Sequence, residues 1–558
     1  MMNRQPYFWR IYFLIFILAV GFGGIIWRVF YLGTIKRDFL EQQSAARSLR
    51  VIDILAHRGM ITDRNGLPLA ISTPVAAIWV SPVLYDATPE QEFHLAKILK
   101  VTNTFLKNKI THEKGRTFVY LKRHLPPEQA DLIKALGIPG IFTQREYQRY
   151  YPEGEVTAQL LGFTNIDESG VEGLELAYDQ WLRGVAGRKE VAKDRLGHVV
   201  NELRVITEPQ PGHNLALSID RNIQYLAYKE LQNAVDKYRA TSGSAIVLDV
   251  QSGEILAMVN QPSYNPNVHM EKRTAGFRNR AVTDVFEPGS TAKTFSIISA
   301  LESGKYHPWT KINTSPGWWY VDGNKVTDRE VRDMDYGVLT VAGVLQKSSN
   351  VGVSKITLSL PSDNLLSVLQ RFGFGESTYS GFPGEVSGHL PDNLRNRPFV
   401  LATLAFGYSI SVTPLQLVRA YAAIATGGIL SGITFLKNGG GVTLLKRRVL
   451  TQKIATDALN MLELVLGSGG TGQKGQVAGY NVAGKTGTAY MTGVKGYEKH
   501  SYHSAFVGVA PVNAPRLAVV VVLQNPQGEH FGGLVAAPVF ANIMAGALRI
   551  LNVPPDNL

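Results

Sequence analysis

Ser290-Thr291-Ala292-Lys293 is the sole S-x-x-K tetrad in the chain. On a helix its serine and lysine share a face, with Cβ atoms about 5–6 Å apart. A serine hydroxyl is a poor nucleophile until a base takes its proton, and no His-Asp arrangement is placed to do so. Lys293 fits that role if burial, the helix dipole and a second cation depress its pKa. The competing reading makes Ser290 a plain N-cap and Lys293 a solvated lysine; about one chance match to the tetrad is expected at this length. The chain has no cysteine, which excludes thiol nucleophiles, disulfides, Cys-ligated zinc and iron-sulfur clusters.

Two further motifs carry candidate chemistry. Ser348-Ser349-Asn350 occupies a polar break between two apolar-periodic segments, and S-x-N recurs at Ser263-Tyr264-Asn265 and Ser362-Asp363-Asn364. Pro361 before Ser362, and helical apolar spacing from Leu365 to Phe372, make Ser362 or Asp363 read as an N-cap whose oxygen is engaged by backbone N–H groups. Lys485-Thr486-Gly487-Thr488 ends an apolar run, where glycine lets a ligand backbone approach closely. A strand-end turn is its plainer reading.

The elements that must position these residues are legible from 216 onward. A helix is expected from Arg221 to Tyr238, then a β-hairpin of Ser244–Val250 and Glu254–Val259 joined by Gln251-Ser252-Gly253. Thr291 to Ser303 has helical apolar spacing before Gly304 stops it. Thr413-Pro414-Leu415-Gln416 is a capping box with proline at N1, opening a helix through Ile424. Val482–Thr488, Ala505–Ala510 and Leu517–Leu523 read as strands and Val539–Leu551 as a closing helix. Strands at both ends with helices between predict an α+β domain around an antiparallel sheet. Residues 45–215 are a charged mixture of strands and short helices with turns such as Asp63-Arg64-Asn65-Gly66.

In that order, S-x-x-K, S-x-N and K-T-G-T resemble the signature of the penicillin-interacting serine acyltransferases. Arg58 to Gly66 with Leu69-Ala70, Tyr151-Pro152-Glu153-Gly154 leading to Leu161-Gly162-Phe163-Thr164, and Gly170 to Glu175 resemble the amino-terminal boxes of class B, monofunctional penicillin-binding proteins. Gly407 to Leu417 and Ala537-Pro538-Val539-Phe540 look like the division-specific type. Ser409 departs from it, since the family often has glycine there.

The resemblance implies a transpeptidase domain of the serine β-lactamase-like fold over 216–558, preceded by an elongated α/β pedestal over 45–215. It implies Ser290 as acyl-enzyme nucleophile, Lys293 as its base, and Ser348 and Asn350 as proton relay and substrate clamp. Lys485 would supply positive potential, Thr486, Gly487 and Thr488 would bind the terminal carboxylate end, and the N–H groups of Ser290 and Thr488 would form the oxyanion hole. The substrate is then the D-alanyl-D-alanine end of a peptidoglycan stem peptide, cross-linked to a neighbouring stem's amine at the division septum. β-Lactams are inhibitors, a SEDS-family glycan polymerase and other divisome membrane proteins are partners, and no cofactor or metal is implied. An elongation-type class B enzyme and an acylatable scaffold or β-lactam sensor without turnover are the alternatives.

The chain's net charge of +12 suits polyanionic surroundings. Arg4, Arg10, Arg28, Lys36, Arg37, Arg47 and Arg50 surround an apolar stretch near the amino terminus, so this charge reads as membrane-proximal. No basic run interleaved with aromatics supports nucleic-acid binding. Residues 11–32, interrupted only by Arg28, would span roughly 33 Å as a helix, enough to cross a bilayer. Trp27, Phe30, Tyr31 and Leu32 offer no small-x-small cleavage site, so an uncleaved anchor is expected. Residues 1–10 are then a cytoplasmic tail and the large body is periplasmic, held at the inner membrane. Such an anchor and the 45–215 module distinguish the chain from a soluble single-domain β-lactamase.

Overall fold

The structure is a computed structural model that describes residues 8–193, 199–268, 275–328, 334–493 and 496–557. Arg4 and residues 1–7 of the expected tail lie outside the described residues. The chain divides into two compact units, each discontinuous in sequence: 1–57, 74–147 and 184–212 form one, and 58–73, 148–183 and 213–558 the other.

In the first unit, the helix Phe8–Phe30 continues into a π-helical turn Tyr31–Ile35, and none of this candidate membrane span is buried. It contains the expected apolar stretch. A three-stranded antiparallel sheet orders Leu49–Ile54, Gly187–Lys193 and Val199–Thr207. A separate small core gathers Ile78, Val80, Leu95, Leu99, Leu106, Leu121 and Ile133. Its helix Pro89–Leu99 starts at a capping box between Thr88 and Gln91.

The second unit is built on a five-stranded antiparallel sheet in the order Ile255–Gln261, Ser242–Asp249, Leu517–Gln524, Gly496–Ala510 and Ala483–Gly493. All eight residues of Ser242–Asp249 are buried, as a central strand covered on both faces must be. Helices Arg221–Tyr238 and Ala537–Ile550 pack against the sheet and each other, and Pro414–Ala425 and Lys293–Glu302 belong to the same core. Arg221–Tyr238 has the expected bounds, capped by the Asp220 carboxylate accepting from Asn222 and Ile223 N–H. The capping box at Thr413 forms as expected.

Two strands run further than sequence pattern indicates. Ala483–Gly493 continues past Thr488, and Gly496–Ala510 begins well before Ala505. The strand Leu517–Gln524 pairs with Gly496–Ala510 only from His503 onward, so most of the extension is a ribbon pairing with itself. Residues 490–493 and 496–502 therefore carry no buried alternation to read.

A buried ion cluster organises the amino-terminal part of this unit. Arg58 Nε and Nη2 donate to Glu175 Oε2 at 2.9 and 2.6 Å, Arg58 Nη1 to Asp179 Oδ1 at 2.8 Å, and Arg149 Nε to Glu175 Oε1 at 2.6 Å. Arg149 Nη1 also donates to the Gly59 carbonyl at 2.9 Å. Arg58, Arg149 and Glu175 are at most 5% exposed, so each charge depends on the others for solvation. Glu175→Ala, which leaves two guanidinium groups buried against a void, is expected to destabilise this unit by about 3–5 kcal/mol. Denaturant unfolding of the purified chain measures it.

Candidate active site

The expected helix around Ser290 exists in two parts, a 3₁₀ turn Gly289–Ala292 running into the α-helix Lys293–Glu302. In 3₁₀ geometry residues i and i+3 eclipse, so Ser290 and Lys293 point the same way. No side chain caps the turn, and Lys293 is 1% exposed. Ser290 is thus not a plain N-cap, nor Lys293 a solvated lysine.

Ser348 is the C-cap of helix Val341–Lys347, in the left-handed region at φ 60°. Ser349 N-caps the next helix, Asn350–Leu358, by accepting from Gly352 N–H at 2.8 Å. The polar break is a junction of two helices, and its strained turn presents Ser348 to the site while Ser349 does the capping. Lys293 Nζ donates to the Ser348 carbonyl and, at 3.1 Å, to its hydroxyl; Lys485 Nζ donates to the same hydroxyl at 3.0 Å. Asn350 Nδ2 donates to the Thr327 carbonyl at 2.9 Å, which fixes its amide plane.

Lys485, Thr486, Gly487 and Thr488 lie inside the edge strand Ala483–Gly493, paired with Val507, Phe506, Ala505 and Ser504, so the strand-end turn is overturned. Gly487 also has a packing role. A Cβ there would meet the Pro288 carbonyl oxygen at 2.9 Å and Thr291 Cγ2 at 3.0 Å, so the glycine admits the turn that carries Ser290. Thr486 Oγ1 shares a hydrogen bond with Thr471 Oγ1 at 3.1 Å, and Thr488 Oγ1 accepts from Gly532 N–H at 3.0 Å.

Electrostatics follow from burial. Desolvation pushes Lys293 down to about 7, opposed by the Asp328 carboxylate. Lys485 is pushed well down by burial and then by the Lys293 charge. Desolvation raises Asp328, while hydrogen bonds from Val351 N–H and Ser349 Oγ and the Lys293 charge oppose it.

The other S-x-N copies do other work. Ser263 Oγ donates to the Glu155 carbonyl at 2.7 Å, and Asn265 Oδ1 accepts from Asn267 N–H at 2.9 Å. Ser362 holds the N-cap position of helix Asp363–Arg371 but makes no cap; its hydroxyl meets Asp363 Oδ1 at 3.3 Å. With φ −57° and ψ −27° its backbone is already helical, which turns the side chain away from the first-turn N–H groups.

Three residues have supporting roles that escape sequence reasoning. Asp328 accepts from Ser349 Oγ at 2.9 Å and Val351 N–H at 2.8 Å. Glu287 Oε1 accepts from Ser409 N–H at 2.9 Å and the Tyr497 hydroxyl at 3.0 Å. Gly407, at φ 87°, lies so near Gly289 that a Cβ would sit 2.1 Å from the Gly289 carbonyl oxygen. No local pattern links any of them to its partner. Ser409 has φ 62°, a left-handed backbone that glycine adopts without strain.

Comparison with known proteins places this geometry. The family pattern for the penicillin-binding protein transpeptidase domain matches residues 243–545, and that for the penicillin-binding protein dimerisation domain matches residues 53–217. Peptidoglycan D,D-transpeptidase FtsI of Escherichia coli (strain K12) is 44% identical over 558 residues, covering 99% of this chain and 93% of that protein. The chain belongs to the class B penicillin-binding proteins. The apo transpeptidase domain of Burkholderia pseudomallei penicillin-binding protein 3 is 41% identical with a TM-score of 0.56, covering 61% of this chain and 98% of that one. Penicillin-binding protein 3 of Mycobacterium tuberculosis, solved with aztreonam, is 26% identical with a TM-score of 0.68, covering 91% of this chain and 98% of that one. As a class B penicillin-binding protein this chain is a serine-type transpeptidase with the expected α+β, β-lactamase-like fold behind a pedestal module.

Gly407→Ala tests the backbone packing behind Ser290. Labelling by a fluorescent penicillin is expected to slow on the order of a hundredfold, the scale of a displaced catalytic group. Gly381→Ala, also at positive φ but with open space beside it, should label at the normal rate.

Proposed function

We propose that Ser290 is the acylated nucleophile of a septal peptidoglycan D,D-transpeptidase, with Lys293 as its base. The observation that carries this assignment is the convergence of Lys293 and Lys485 on the Ser348 hydroxyl beside the Ser290 turn. The chain is an FtsI-type enzyme that cross-links stem peptides and is acylated by β-lactams. Its identity to FtsI over nearly the whole chain favours the septal role over the elongation type.

Neutral Lys293 takes the Ser290 proton as Oγ attacks the carbonyl of the penultimate D-alanine. The negative charge that develops on that carbonyl oxygen falls to the N–H groups of Ser290 and Thr488, each donor worth about 3 kcal/mol. The close approach of the two backbones supports this pairing, since a Cβ at Gly289 would lie 2.9 Å from the Thr488 carbonyl oxygen. The proton then passes from Lys293 through the Ser348 hydroxyl to the departing D-alanine amine. Asn350, held by Thr327, orients the substrate amide. A neighbouring stem's amine attacks the acyl-enzyme and returns its proton by the same route. In a β-lactam the ring amide opens on Ser290 instead.

Thr486 and Thr488 bind the terminal carboxylate, with Gly487 keeping their strand against the nucleophile turn. Burial opposes charge on Lys485, and an arriving carboxylate supplies the counter-charge that restores it. The functional division is a tail over 1–10, an anchor over 11–32, a pedestal over 45–215 and a transpeptidase domain over 216–558. The body is periplasmic, and anchor and pedestal dock a SEDS-family glycan polymerase and other divisome proteins.

Mass spectrometry of the penicillin adduct is expected to place it on Ser290; an adduct elsewhere overturns the assignment. Ser348→Ala should slow acylation on the order of a hundredfold, whereas Ser362→Ala should leave it unchanged and alter stability by less than about 0.5 kcal/mol.

The pH dependence has a definite sign. Lys293 accepts a proton only when neutral, and its pKa is about 7. Stopped-flow acylation should therefore rise about tenfold per pH unit below 7 and level off above it.

A further inference from the structure

Beside the site stands a tight hairpin, Trp318–Val321 paired with Asn324–Thr327. Its two-residue turn places Asp322 at φ 48° and Gly323 at φ 74°, the geometry that matches strand twist and fixes register. Side chains alternate across the ribbon. Trp319 and Val321 face a small core with Val326, Val351 and Ala402. Trp318 and Tyr320 face outward, 36% and 55% exposed, with ring centroids 5.6 Å apart at 77°. Lys325 Nζ lies 5.4 Å from the Trp318 centroid and so takes up one face of that ring.

The hairpin is continuous with the site. Trp318 is the cross-strand partner of Thr327, about 4.5–5.5 Å away between Cα atoms. The Thr327 carbonyl holds Asn350, and the next residue, Asp328, holds Ser349 and Val351. We infer that the outward face of this hairpin, Trp318 with Tyr320, is a saccharide platform that holds the glycan strand bearing a stem peptide. This rests on the functional reading above. A stem peptide is borne on a polymer of N-acetylated hexosamines, so sugar accompanies any stem peptide held at the site. Aromatic faces suit the C–H faces of pyranose rings, while the indole N–H and phenol O–H serve ring hydroxyls and amides. Exposed aromatics on a rigid ribbon also lose little side-chain freedom on binding.

The test compares two donors with the full-length chain: a glycan-borne pentapeptide polymer made by a separate polymerase, and a sugar-free stem-peptide thioester. In W318A/Y320A, cross-linking of the glycan-borne donor should fall on the order of tenfold, mainly through KM. Acylation by the thioester should stay within about twofold of the unaltered chain. Trp318→Phe with Tyr320→Phe should retain most cross-linking, because the aromatic faces remain. Trp309→Ala, an exposed tryptophan outside the hairpin, should change neither. Equal losses with both donors would make the hairpin a prop for Asn350 and overturn the platform, as would undiminished glycan cross-linking. Failure of the unaltered chain to cross-link at all would instead overturn the functional reading.

Discussion

Two lysine amines share one serine hydroxyl in a place closed to bulk solvent. Lys293 and Lys485 are 1% and 0% exposed, and an unpaired ammonium in such surroundings costs several kcal/mol. The cost is limited because burial lowers both pKa values and because Asp328 stands near Lys293. The same desolvation makes an amine competent as a base near neutral pH. The site therefore requires a large apolar core, and every residue from Lys293 to Leu301 is buried. That helix is fixed in turn by Tyr421, whose hydroxyl donates to the Thr291 carbonyl at 2.9 Å and shares a hydrogen bond with Thr294.

Around this centre the site is assembled by backbones at distances that side chains do not permit. Gly289 meets Gly407 on one side and the Thr488 carbonyl on another, and Gly487 meets the Pro288 carbonyl. A turn, a loop and an edge strand are thereby locked largely through backbone atoms, which have no rotamer to relax. Glu287 adds a polar clasp to the same turn through Ser409 N–H and Tyr497, and burial raises its carboxyl despite those bonds. Ser348 and Ser409 both hold left-handed backbones, at roughly 1–2 kcal/mol each. Strain of that kind persists where the surroundings over-determine it; at Ser348 two lysines do so.

The hairpin Trp318–Thr327 shows how one element can serve two faces. Its inner residues close a small apolar cluster, its last residue Thr327 orients Asn350, and the Asp328 that follows orients Ser349. Rigidity demanded by the inner work leaves Trp318 and Tyr320 displayed in a fixed arrangement outside. The buried cluster of Arg58, Arg149 and Glu175 is organised on the opposite principle, with charges that satisfy one another and specify how the surrounding segments fold together.

Helix bounds, caps and the shared face of Ser290 and Lys293 were legible in the sequence, because each is a local matter of spacing and capping chemistry. Arg221–Tyr238 and the Thr413 capping box follow from a few consecutive residues. The motif order Ser290, Ser348, Lys485 likewise named the family without any coordinates. Strand ends were less legible, because the ribbon that precedes His503 pairs only with itself and carries no buried alternation. Gly487 has a further reason that only packing supplies, since a Cβ there would meet the Pro288 carbonyl and Thr291. Ser362 occupied an N-cap position, yet its own φ and ψ denied it the bond. The contacts of Asp328, Glu287 and Gly407 could not be found from sequence, because hydrogen bonds and backbone contacts between distant segments leave no spacing along the chain. The sequence alone determined which residues could do chemistry; the tertiary structure decided which of them are dry enough, and close enough, to do it.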